Sequence, residues 1–350
     1  MMLTFNRLIL PALLVTSLSL TSCKDDTTTA TTDGNAVDYS FVVIGCNRLD
    51  KADTNAANPS TANMEQLNRT FSEVAQMSPR PDYLFFAGDM VLGYTPDTVQ
   101  LANQLRGWKA AYEASPLAGS GVKLVAVPGN HEVQNDKKTA YAAAERQWLS
   151  IMAPYINGSN GPAAGGADSL ATDQSRLTYS FNFRDAHFVV LNTDPVGKDW
   201  RVPTKWIATD VAAAHGAGVK HVFAIGHKPA YPWDGADGLV KYPVDRDNFW
   251  SALESSNSEA MLAAHNHLFY KEQPHGKTWQ IVAGNGGSIL ETGLTPDKMY
   301  YGYTVVSVLK NGRVIAKSMG RDIPAASYKA PAPASAYPTT MRDSLDITWH

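Results

Sequence analysis

Cysteine is almost absent from this chain: two residues in 350, Cys23 and Cys46, too few for a disulfide-stapled scaffold. Net charge is equally scarce. Thirty basic side chains against 33 acidic ones leave −3, so there is no cationic field for gripping a polyanionic duplex, and bulk nucleic-acid binding is excluded. The N-terminal apolar run, Leu8 to about Leu20, is short and is interrupted by Pro11 and serines, so it makes no comfortable membrane span. No internal repeat points to a solenoid. What is plentiful is core material: eight Trp, 15 Tyr and 11 Phe in a chain that is 44% hydrophobic, which rules out a mostly disordered protein.

The first 22 residues read as a secretory signal peptide, with Arg7 ahead of the apolar run. Leu20-Thr21-Ser22-Cys23 resembles the lipobox of bacterial lipoproteins. That resemblance implies lipidation of Cys23 and a membrane anchor without a spanning helix. It places the chain in the cell envelope outside the cytoplasm, at the outer membrane or cell surface. Residues 23–38 are Thr- and Asp-rich and predict a flexible tether. With Cys23 acylated, Cys46 has no partner for a disulfide.

The body, residues 39–322, alternates strand-like and helix-like segments. Tyr39–Gly45, Asp82–Gly88, Val122–Gly129, His221–Gly226 and Met261–Ala264 are β-branched or aromatic runs. Helical stretches are expected near Asn63–Met77, Asp97–Ala114, Thr139–Met152, Pro203–His215 and Asp245–Glu254. This predicts an α/β fold with mainly buried strands. Leu177–Phe183 with Ala186–Leu191 predicts a hairpin, and Thr278–Ala283, Tyr301–Leu309 and Val314–Ser318 supply further strands, so a second sheet is expected. Residues 156–172 read as an excursion loop, and 323–350 as a Pro- and Ala-rich tail.

Each of the first five strands leads into a polar cluster: Gly45-Cys46-Asn47-Arg48, Gly88-Asp89-Met90, Gly129-Asn130-His131-Glu132, Gly226-His227-Lys228-Pro229 and His265-Asn266-His267. Ligands gather outside the carboxyl ends of strands in open α/β sheets. Imidazoles, an amide and a carboxylate suit borderline divalent metals such as Zn, Mn or Fe. A carboxylate shared by two ions suits displacement at phosphorus.

The order Gly-Asp, Gly-Asn-His-Glu, Gly-His, His-x-His, spread over residues 40–270, resembles the calcineurin-like metallophosphoesterases. The resemblance implies a four-layer αββα sandwich, two mixed sheets flanked by helices, with a dinuclear centre. Asp89 would bridge the ions; Asn130, His227 and His265 would complete the second metal site, and His267 would bind the first metal. His131 would stabilise the transition state or protonate the leaving oxygen, with Glu132 placed to orient it. A metal-activated hydroxide would hydrolyse a phosphomonoester or phosphodiester.

The departure lies in the first motif. The family opens with Asp-x-His, both residues binding the first metal; here Cys46 and Arg48 occupy those positions. Cys46 is open to two readings, a softer ligand or a small buried hydrophobe. Arg48 cannot ligate while protonated. It either grips a phosphate oxygen or is an ordinary salt-bridged arginine. The cofactor expectation is accordingly two divalent ions, or one if the first site is lost. Tyr231 and Trp233, in the loop after Gly-His, are candidate substrate contacts. Two other functions stay open: a degraded relative that binds a phosphorylated glycan or lipid without turnover, and a cysteine hydrolase built on Cys46. The latter leaves Asp89 and Asn130 without a task.

Overall fold

The computed structural model describes residues 33–48, 61–322 and 336–349. The leader and Cys23 lie outside the described residues. In chain order the strands are β1 (Val37–Ile44), β2 (Tyr83–Ala87), β3 (Lys123–Val127), β4 (Tyr179–Phe183), β5 (Ala186–Leu191) and β6 (His221–Gly226), then β7 (Ala260–Ala263), β8 (Phe269–Glu272), β9 (Trp279–Ala283), β10 (Tyr300–Leu309), β11 (Val314–Asp322) and β12 (Thr340–Asp346). They form two sheets of six, ordered β12-β11-β10-β1-β2-β3 and β4-β5-β6-β7-β9-β8. Within the first, β1, β2 and β3 are parallel; within the second, β5, β6, β7 and β9 are. Antiparallel partners at the edges make both sheets mixed.

Period-2 alternation of the strands explains why two sheets stack. Phe41 and Val43 of β1, Tyr83 and Phe85 of β2, Phe188 and Val190 of β5, and Phe223 and Ile225 of β6 meet in one core between the sheets. Phe41 packs edge-on against Phe188 and Phe223 at centroid distances of 5.1 and 5.0 Å. The alternate residues face outward. Val42, Leu84 and Phe86 pack under helices α1 (Thr61–Ala75), α2 (Thr98–Glu113) and, past the one-turn α3 (Asn130–Val133), α4 (Ala142–Ile151). Val189, Val222, Ala224 and Met261 pack under α5 (Thr204–Gly216) and α6 (Pro243–Ser255). The helices reach down with residues one turn apart, such as Leu67, Phe71 and Val74 of α1. These are the expected four layers, αββα; Trp108, Trp148 and Trp250 are fully buried in them, and Trp206 is half-buried against the core under α5 and α6.

Two boundaries differ from the sequence reading. The tether ends earlier than residue 38: Asn311 and Lys310 donate backbone hydrogen bonds to Gly34 O and Ala36 O (2.9 and 3.0 Å), and β1 starts at Val37. The tail contributes β12, antiparallel to β11. Its sequence, TMRDSLD, is exposed or half-exposed for most of its length, so it lacks the apolar alternation that announces a strand. β8, with four half-buried residues, escaped for the same reason. Among the described residues, no helix is long and apolar enough to cross a membrane.

Candidate metal centre

The five polar clusters leave the carboxyl ends of β1, β2, β3, β6 and β7 and meet where the two sheets adjoin. Backbone hydrogen bonds lash the loops together: Cys46 N–H to Gly88 O (3.0 Å), Asn47 N–H to Asp89 O (2.9 Å), Ala264 N–H to His227 O (2.9 Å). The Gly284–Ser288 turn braces the first loop through Gly286 N–H to Gly45 O and Ser288 N–H to Cys46 O. Glycine is required at position 88, where φ is +81° and a Cβ would sit 2.6 Å from His227 Nδ1. Yet much of the left-handed backbone falls on the functional residues themselves: Cys46, Arg48, Asp89 and His265 all have φ between +54° and +67°. Such conformations in non-glycine residues persist only where the surroundings over-determine them.

Hydrogen bonds at the rim fix which atoms face the centre. His227 Nδ1 donates to Ala87 O (2.7 Å), which in the neutral imidazole leaves Nε2 as an acceptor. That Nε2 lies 3.1 Å from Asp89 Oδ1 and 3.2 Å from His265 Nδ1. His265 in turn commits its Nε2 to Asp237 Oδ2 at 3.2 Å. The amide of Asn130 gives its NH₂ to the Tyr94 hydroxyl, which turns Oδ1 toward His265 Nδ1 at 3.1 Å. Three contacts of 3.1–3.2 Å therefore link four acceptors in a chain, from Asp89 Oδ1 through His227 Nε2 and His265 Nδ1 to Asn130 Oδ1. Tetrahedral ligands about 2.0–2.1 Å from a zinc-like ion stand about 3.3 Å apart. Buried acceptors with no proton between them fit a cation, and the outer carboxylate on His265 is the usual support of a metal-bound imidazole.

The electrostatics are mixed: burial alone would lower His227, but the Asp89 charge and hydrogen bond outweigh it and raise it above the ordinary histidine value. Burial alone would push the Asp89 carboxyl up, but His131, His227 and Arg48 together hold it well below the usual range. Burial lowers His265, and Asp237 opposes this only in part. Burial, then the Arg48 charge, holds His267 well below the ordinary histidine value.

The first site is different. Arg48 donates from both Nε and Nη2 to Asp89 Oδ2, 3.2 Å each. Arg48 is thus salt-bridged in this structure, and its partner is the central carboxylate. Cys46 is completely buried, belongs to the inter-sheet core and accepts the His265 N–H at Sγ (3.1 Å). Burial drives its thiol well up, the opposite of an activated nucleophile. Its sulfur still forms, with Asp89 and His227, a group whose ligand atoms lie within 4.8 Å of one another. His267 is outside that group. Its Nδ1 is held by Ile289 O (2.7 Å), and its buried Nε2 has no hydrogen-bond partner.

His131 sits over the carboxylate, Nε2 3.7 Å from Asp89 Oδ2. Its Nδ1 donates to Leu92 O, and burial brings its pKa down to about 3. Glu132 does not orient it. Both Glu132 oxygens are taken by backbone amides, those of Asp89 (3.0 Å), Gly129 (2.7 Å) and Val91 (3.0 Å), so this carboxyl shapes the loops that carry Asp89 and Asn130. The group that stacks on His131 is Tyr94, ring centroids 3.9 Å apart.

The loop after Gly-His reaches the centre through a residue other than those expected. Tyr231 turns to Trp250 and His275, away from the cluster, because its ring completes the core under α6. Trp233 is tied to the site by its backbone N–H on Asn266 Oδ1 (3.2 Å). Asp237 is the side chain that arrives, presented by a turn in which Asp234 Oδ1 accepts the Ala236 and Asp237 N–H groups. Neither Tyr94 nor Asp237 belongs to a motif. Their only sequence signals are proximity to Gly-Asp and a Pro/Gly-rich loop.

Comparisons with known proteins agree with this geometry. A family model described as calcineurin-like phosphoesterase matches residues 40–269. Among solved structures, a dimetal phosphatase from Danio rerio superposes with a TM-score of 0.57 at 13% identity, covering 90% of this chain and 100% of that one. The purple acid phosphatase PPD1 from yellow lupin seeds gives 0.57 at 15% identity over 82% of this chain. That alignment spans only 52% of the lupin protein, so the likeness is one of fold. A sequence search of curated proteins finds no match.

Proposed function

Because the chain belongs to the calcineurin-like phosphoesterase family, we infer that it is a metal-dependent hydrolase acting on a phosphomonoester or phosphodiester. The observation that carries this reading is the run of four acceptors, Asp89 Oδ1, His227 Nε2, His265 Nδ1 and Asn130 Oδ1, linked by three contacts of 3.1–3.2 Å with their other atoms committed elsewhere. A divalent cation held there supplies Lewis-acid charge at the phosphoryl group and acidifies water.

The chain's own residues do the rest. Arg48, a quarter exposed at its side chain, is reachable by substrate and offers planar donors to phosphoryl oxygens. His131 presents a bare Nε2 on the same side of Asp89. An arriving phosphoryl anion favours its imidazolium, against the effect of burial, and that form can protonate the leaving oxygen. The site lies within a buried loop cluster, where fixed dipoles and charges act strongly.

Purified protein is expected to hydrolyse generic aryl phosphates, with loss of turnover in chelator and recovery on adding Zn, Mn or Fe. Absence of turnover with every metal, pH and ester class would sink the reading. The replacement of Asp-x-His by Cys46 and Arg48 supports a second reading, a phosphate-ester binder without turnover; robust hydrolysis would eliminate it. The signal-like leader and Cys23 support export and lipid anchoring at the cell envelope. Cys23→Ser should move the protein from the membrane to the soluble fraction.

A further inference from the structure

Asp89 offers two oxygens, and they face different surroundings. Oδ1 looks toward His227 and takes the His131 backbone N–H at 3.3 Å. Oδ2 receives two donors of one guanidinium, at the face where a bridging carboxylate would meet its other ion. Arg48 cannot be deprotonated in a protein, so a full positive charge is already built into that face.

The remaining donors expected of a first site have other engagements. Cys46 Sγ is engaged by the His265 N–H and shares its ligand group with Asp89 and His227. His267 holds Ile289 O through its Nδ1 at 2.7 Å. The left-handed turns at Cys46 and Arg48, φ +59° and +54°, are held by Gly88 O and Asp89 O, which accept their backbone N–H groups at 3.0 and 2.8 Å. The arginine is thus delivered to the carboxylate by the same hydrogen bonds that shape the loop.

We propose that Arg48 is a resident cation standing in place of one metal ion, so that the centre binds a single divalent ion per chain. That ion is held by Asp89, Asn130, His227 and His265, with Cys46 Sγ within reach, and the guanidinium receives the phosphoryl oxygens that a second ion would otherwise take. The proposal rests on the metal-dependent reading above, and its main readout needs no substrate.

Full-length protein saturated with Mn(II) or Zn(II) and freed of excess by gel filtration is expected to carry one equivalent by elemental analysis. Its Mn(II) form should give the electron paramagnetic resonance spectrum of an isolated ion. Arg48→His, alone and combined with Cys46→Asp, should raise the content toward two and yield an exchange-coupled spectrum. Arg48→Ala should keep one equivalent and lower kcat/KM for an aryl phosphate by about 10²–10³-fold. Two equivalents or a coupled spectrum in the unaltered protein, or no bound metal, overturns the proposal. So does a content fixed at one in both histidine variants, or an unchanged rate in Arg48→Ala. One equivalent of metal with no turnover of any ester would sink the hydrolase reading and leave the cation count standing.

Discussion

Asp89 holds a backbone φ of +55° without being a glycine or an asparagine, and this conformation aims its carboxylate into the centre. Asparagine tolerates the same region, so Asp89→Asn should keep the loop while removing the charge. Metal content and rate should both fall, as they should in His265→Ala, which deletes one of the four acceptors. No side-chain atom of His131 is among those four acceptors. His131→Ala should spare metal content and slow hydrolysis by about 10²-fold or more. Elemental analysis beside steady-state rates separates the two classes, and a metal-depleted His131→Ala would invert the assignment. Glu132 tests a different idea. Its oxygens satisfy three buried amides, and each unsatisfied buried group costs about 1–3 kcal/mol. Glu132→Ala should therefore lose about 3–5 kcal/mol in urea unfolding; loss of rate at unchanged stability would instead restore a role in orienting His131.

Elements deliver these residues, and the loop from Pro229 to Gly238 shows how. It leaves β6 immediately after His227 and returns Asp237 to His265 Nε2 at 3.2 Å. Asp237 also accepts the Trp200 indole N–H (3.2 Å) and pairs with Lys241 at 3.3 Å, so the loop is pinned at the point of contact. Partners of this kind typically change metal affinity 10–100-fold. Asp237→Asn should weaken Mn(II) binding by about that factor in calorimetric titration while thermal unfolding of the metal-free protein stays unchanged. An unaltered affinity would make the contact incidental. The same loop marks the limit of what could be read in advance. Asp89, Asn130, His227 and His265 could be named in advance because the ordered motifs that carry them resemble those of a known family, each motif following a short apolar strand. Tyr94 and Asp237 act across the chain, 36 residues from Asn130 and 28 from His265, in loops whose path no periodicity encodes. Tyr231 misled for the same reason, since an aromatic in such a loop can serve the core under α6 or the site.

At the scale of the molecule, the centre joins the two sheets. Asp89 and Asn130 come from β2 and β3 of one sheet; His227 and His265 follow β6 and β7 of the other. The apolar layer between the sheets holds them face to face, but at this end the contact is made by polar loops whose four acceptors repel one another when no cation lies between them. A cation that binds this arrangement and not the unfolded chain adds RT ln(1 + [L]/Kd) to stability, about 2.7 kcal/mol at one hundred times Kd. Chelation should therefore lower the melting temperature, and Mn(II) titration should raise it steadily with concentration. Asp89→Asn and His265→Ala should abolish that rise although they remove ligands from different sheets. Phe41 and Phe188, packed in the inter-sheet core, offer the contrast: truncating either should lower stability equally with and without metal. If chelation left unfolding unchanged while rates collapsed, the cation would not favour the folded chain over the unfolded one, and the convergence of the two strand ends would carry no energetic weight.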